Sequence, residues 1–142
     1  NFVGEVGANS KALSFENTVG GGETGSITTG SSSTAYNTSS DYRLKENVAD
    51  MTGAIDRVKQ LSPKRFNFIA DADTTVDGFL AHEAQTVIPE SVTGEKDAVD
   101  DGGKIDPQGI DQSKLVPLLT AALKESVAKI EALEARVTTL EG

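Results

Sequence analysis

The last thirty residues carry a strict heptad. Val116, Leu123, Ile130 and Val137 fall at position a, with Leu119, Ser126, Leu133 and Leu140 at position d. Only Ser126 interrupts the apolar seam. Lys129 and Arg136 at g stand five residues before Glu134 and Glu141 at e, the offset at which a parallel neighbour pairs its charges. The pattern predicts a helix over 111–141, roughly 40 Å long at about 1.5 Å per residue, that associates in parallel with copies of itself. Packing of that helix onto its own domain is the alternative.

The rest of the chain offers little for a single core. Of its 142 residues 37% are hydrophobic and 5% aromatic, with no Trp. That is thin for a monomer, which at this length buries about 70% of its unfolded surface. The average also hides a break. In residues 1–40, 25 positions are Gly, Ser, Thr or Asn, and only Glu5, Lys11, Glu16 and Glu23 are charged. Beyond Ser40 come nearly all the Leu, Ile, Lys and Arg. Two parts are expected, 1–40 and 41–142, and the start at Asn1 rather than Met suggests a piece of a longer chain.

Within 1–40, Phe2-Val3, Ala12–Phe15 and Ser26–Thr29 are β-prone, with Gly20-Gly21-Gly22 and Gly25 as punctuation. The segment reads either as a disordered linker or as thin strands that other chains complete at the end of a fibre. From Leu44 the period changes. Leu44, Val48, Met51, Ile55 and Val58 share one helical face, with Asp50 as a cap for its later part and Ser62-Pro63 as its end. Strands are expected at 65–69 and 76–81, joined by a 70–75 loop, then a short helix over 83–87 that stops near Pro89. Residues 93–109 are acidic and Gly-rich and read as an exposed excursion or β-arm. The fold class is α+β.

Several chemistries drop out. A net charge of −9 argues against nucleic acid and anionic membranes as partners, since both favour basic patches. No apolar run approaches the roughly 20 residues of a membrane span. Zero Cys removes disulfides, thiolate nucleophiles and thiolate metal sites. The single His82, in the apolar FLAHEAQ stretch, reads as structural. Asp71, Asp73 and Asp77 lack the EF-hand spacing, its central Gly and its terminal Glu. Asp97, Asp100 and Asp101 read as a solvated loop. No metal or cofactor is expected.

What remains is Ser39-Ser40-Asp41-Tyr42-Arg43-Leu44-Lys45-Glu46-Asn47, at the break in composition. Taken alone, it fits a helix N-cap at Ser40 or Asp41, with Arg43 and Lys45 on a solvated face. Four blocks in order (SDYRLKENV, LSPKRFNF, GFLAHEAQTVIPE and the apolar SKLVPLLTAALKESVAKIEALEARV) resemble the C-terminal intramolecular chaperone, or auto-processing, domain of phage tailspikes and tail fibres of the endosialidase type. The resemblance spans about residues 40–140.

That resemblance implies a self-cleaving serine peptidase that turns over once. Ser40 would be the nucleophile, Lys45 the general base, Arg43 and Asn47 supporting residues, and Ser40–Asp41 the bond cut. It also implies a homotrimer held by Val116, Leu119, Leu123, Ile130, Leu133, Val137 and Leu140, acting on upstream fibre domains of the same chain. Assembly would take place in the host cytoplasm, with 1–40 kept in the virion and 41–142 released. A lysine, ordinarily near pKa 10.4, is a poor base at neutral pH unless burial or a nearby cation lowers it. Arg43 is near enough in sequence to contribute, and trimer assembly would desolvate the site. A Ser hydroxyl reaches the carbonyl before it through a five-membered ring, but its own only through a strained four-membered one. Cleavage after Ser40 therefore needs a neighbouring protomer or water, and cleavage before it an acyl shift within one chain. The rivals are a fibre or adhesin trimerisation domain without proteolysis, and the related domain of membrane-tethered transcription factors. The second fits poorly, since the chain shows neither a span nor a basic region.

Overall fold

The computed structural model describes residues 10–17 and 22–142. It divides into two compact units, one ending at Ala49 and one spanning Asp50–Gly142. Phe2-Val3 and Gly20-Gly21 lie outside the described residues.

The first unit is a three-stranded antiparallel sheet in the order β1-β2-β3: β1 (Ser10–Asn17), β2 (Gly22–Thr29) and β3 (Thr34–Thr38). Two register shifts, between Lys11 and Leu13 and between Phe15 and Glu16, sort its side chains. Each moves one strand by a residue, and a one-residue slip exchanges the faces. Lys11, Ser14 and Glu23 thereby meet on one face, where Glu23 accepts from Lys11 Nζ and from Ser14 Oγ at 2.8 Å. Asn37 Nδ2 donates to Thr28 Oγ1 on the same face at 3.1 Å. Leu13, Ile27 and Tyr36 line up across the other face. Gly25 proves to be inside β2, not a punctuation mark. A Cβ there would meet Asn37 O at 2.7 Å, so the β2–β3 approach demands glycine. Thr34–Thr38 is a strand that patterning left unassigned.

The expected helix from Leu44 to Val58 is mostly absent. A single 3-10 turn covers Tyr42–Leu44, and α1 is only Ala54–Val58. Lys45 is extended, and Asn47 and Gly53 take φ of 53° and 67°, the left-handed region in which no right-handed helix continues. Leu44, Val48 and Met51 are consequently exposed rather than on a buried face. Asp50 does not cap α1. Gly53 occupies the N-cap without a side chain to offer, and Glu125 does that work from across the unit. Its two carboxylate oxygens accept from the N–H groups of Ala54 at 2.9 Å and Ile55 at 3.0 Å.

A hairpin follows: β4 (Lys64–Phe68) against β5 (Asp71–Gly78). The join is Ile69-Ala70 rather than a 70–75 loop, and β5 begins five residues before the expected strand and stops before Phe79. Arg65 pairs with Asp77 across it, and Phe66 and Phe68 meet edge to face at 5.3 Å. The short helix α2 is Ala81–Gln85, two residues earlier than expected, and a 3-10 turn begins at Pro89. Strands β6 (Val92–Thr93) and β7 (Gly109–Ile110) pair at the base of the 93–109 excursion. A Val99–Ile105 bridge makes that excursion a β-arm.

The last element is α3 (Leu115–Glu141). Its Leu115, Leu118 and Ala122 join Ala54, Val87 and Ile88 in the core, flanked by Ile55, Val58, Leu61 and Phe79. The heptad residues use a different face. Val116, Leu119, Leu123, Ile130, Leu133, Val137 and Leu140 are all exposed. The helix thus packs on its own domain with one face and holds the heptad stripe free on another. Among the described residues no helix is long and apolar enough to cross a membrane.

Candidate active site

The site begins where the sheet ends. Ser39 N–H donates to Thr24 O at 3.0 Å, fixing the strand that delivers Ser40. Asp41 then caps the 3-10 turn, its Oδ1 accepting from Arg43 N–H at 2.9 Å. Leu44 N–H and Lys45 N–H close the turn on Asp41 O at 3.2 Å and Tyr42 O at 3.1 Å. The chain doubles back over these five residues. Lys45 Nζ comes within 2.7 Å of Ser40 Oγ and 3.3 Å of Ser40 O.

Arg43 holds the turn from the side. Its Nε and Nη2 grip the two oxygens of Asp41 at 3.0 and 2.7 Å, a fork that only a planar guanidinium provides. The Arg43 side chain, then its backbone N–H, hold the Asp41 carboxyl below the usual carboxylate range, and the Lys45 charge adds to this. Asp41 in turn raises the guanidinium further above its ordinary value. Sequence reading assigned Arg43 as a cation near Lys45; the structure places its charge on Asp41. The Asp-x-Arg spacing was the signal for this fork. Asn47 takes the left-handed conformation that Asn tolerates better than most residues, redirecting the chain after Lys45.

Ser40 and Lys45 lie in the exposed part of the chain, with Asp41 half-buried. The geometry brings the Lys45 amine within hydrogen-bond reach of both the Ser40 hydroxyl and the carbonyl of the Ser40–Asp41 bond. That is the minimum for base-assisted acyl transfer, in which the amine removes the hydroxyl proton as oxygen attacks a carbonyl carbon. His82 lies on α2, in the second unit.

No curated protein matches the chain. A family model, Peptidase_S74, described as chaperone of endosialidase, matches residues 40–93. The match begins at Ser40, takes in the whole Ser40–Asn47 turn, and continues through α1, the β4–β5 hairpin, α2 and β6. Over residues 40–93 this chain is similar to the family described as chaperone of endosialidase.

Proposed function

We propose that this chain is a self-cleaving intramolecular chaperone that assembles a phage tail fibre or tailspike as a homotrimer and is then cut away next to Ser40. The observation that carries it is the 2.7 Å contact between Lys45 Nζ and Ser40 Oγ, at the first residue of the segment matched by a peptidase family. Residues 1–40 would be the end of the β-rich stalk and 41–142 the chaperone. Cleavage during assembly in the host cytoplasm would leave the first part in the virion and release the second.

In the reaction, neutral Lys45 takes the Ser40 Oγ proton and the oxygen attacks a peptide carbonyl. The C–N bond breaks, the departing amine takes the proton from Lys45, and water hydrolyses the ester. Lys45 Nζ also reaches Ser40 O, which favours the Ser40–Asp41 bond. There the oxygen must come from another copy's Ser40 or from water, because the chain's own Oγ would close a four-membered ring. Assembly would then switch the reaction on, by bringing copies together and removing water from Lys45.

The heptad supports association through α3, whose exposed seam and g–e charge pairs suit a parallel neighbour. Parallel pairing aligns the chains and reduces the search for non-local β contacts, which form slowly. Once the chaperone is gone the fibre cannot readily refold, so its stability becomes kinetic.

The test is a denaturing gel with product masses. Wild type yields two fragments, the second beginning at Asp41, whereas Ser40→Ala and Lys45→Ala stay whole. A wild type that remains intact once assembled defeats the peptidase reading in favour of a plain trimerisation domain. A fragment beginning at Ser40 moves the attack to the Ser39 carbonyl within one chain.

A further inference from the structure

The three-stranded sheet is lopsided. One face is occupied by the Lys11–Glu23–Ser14 network and the Asn37–Thr28 bond, with Ser26 buried beneath. The other presents Leu13, Ile27 and Tyr36 in one cross-strand row, with Phe15 opposite Gly25 in the next. Phe15 is 50% exposed and Tyr36 80%. Gly25 places no side chain opposite Phe15 in that row.

We propose that this face is where copies of the same chain pack against one another, and that it fixes how many chains assemble. The inference rests on the assembly reading above. Two observations select this occupant. The first is the α3 seam. β-Branched residues stand at three of its four a positions (Val116, Ile130, Val137) and Leu at three of its four d positions. That combination favours two parallel strands, so the seam aligns copies without specifying a third. The second is area. At roughly 200 Å² for each large side chain, the exposed parts of Leu13, Phe15 and Tyr36 amount to about 300–400 Å² per chain. A free-standing interface needs about 800 Å² per partner. The face is too small to recruit a separate protein and sufficient for partners already tethered, for which effective concentrations reach the mM range. Copies joined through α3 are such partners.

The absence of Cys makes the test clean. Tyr36→Cys puts a thiol on the apolar face, and Asn37→Cys puts one on the polar face a residue away. Each is treated with a short bismaleimide in the assembled full chain carrying Ser40→Ala, and the native mass is measured alongside. Covalent pairs should form at least ten-fold more with Tyr36→Cys, and Leu123→Asp in the α3 seam should abolish the difference. Leu13→Cys repeats the measurement should Tyr36→Cys fail to fold. A trimeric mass with equal cross-linking on both faces overturns this inference and leaves the assembly reading standing. A monomeric mass overturns both. Strong Tyr36→Cys cross-linking that survives Leu123→Asp overturns the dependence on tethering.

Discussion

Lys45 Nζ reaches Ser40 Oγ because Asp41 and Arg43 hold the turn between them closed. The two groups are five residues apart, a spacing at which neither a strand nor an α-helix superimposes side chains. Arg43→Lys keeps the charge and loses the two-pronged grip on Asp41. Cleavage of that variant should slow by about ten-fold or more, since an ångström of misplacement at a reacting pair costs up to 10²-fold. The single-turnover rate from a gel time course checks this, with far-ultraviolet circular dichroism unchanged.

The two faces of α3 should respond differently to truncation. Leu118 is 2% exposed, and Leu118→Ala should cost about 2–5 kcal/mol of unfolding free energy, read by urea titration. Leu123 is 65% exposed, so Leu123→Asp should leave the unit folded and lower its sedimentation mass.

Glu125 ties α3 to α1. Its carboxyl is held below its ordinary 4.5 by the N–H of Ile55, then that of Ala54, with the Lys129 charge adding. A carboxyl whose folded value lies below its unfolded one stabilises the fold at higher pH, and that contribution is lost as pH falls through the folded value. Acid should therefore weaken the wild type below pH 4.5. Glu125→Gln should lower the Tm near neutrality by roughly 4–8 °C, the response of a domain this size to a lost helix cap. It should also flatten the acid limb. Melting curves near pH 7 and about pH 3 measure both effects.

Gly25→Ala should disrupt the sheet without touching the dyad directly. The added Cβ would lie 2.7 Å from Asn37 O, backbone that cannot yield. Loss of the strand signal, followed by loss of cleavage because Ser39 is anchored to Thr24, is the expected sequence of events.

The sequence was legible where one period or one motif decided the structure. The heptad announced α3, and the resemblance carried by SDYRLKENV singled out Ser40 and Lys45, whose side chains lie 2.7 Å apart, although not the turn that joins them. It misled between Leu44 and Val58, where a good apolar period is cut by Asn47 and Gly53 in left-handed conformations. The face formed by Leu115, Leu118 and Ala122 was hidden beside the heptad, because a helix apolar on two sides shows only its stricter repeat. Thr34–Thr38 escaped because its strand is specified by cross-strand partners in β2 rather than by its own alternation. Glu125 was beyond reach, since its partner is 71 residues away in the chain.

The position of α3 after every other element has a consequence for timing. Ribosomes add about 5–20 residues per second, so the 27 residues of α3 take roughly 1–5 s to synthesise. Throughout that interval the sheet and the Ser40–Lys45 turn have already been made, yet the seam that would join copies has not. If α3 joins copies as proposed, a chain still short of it lacks that seam and should not be enrolled early.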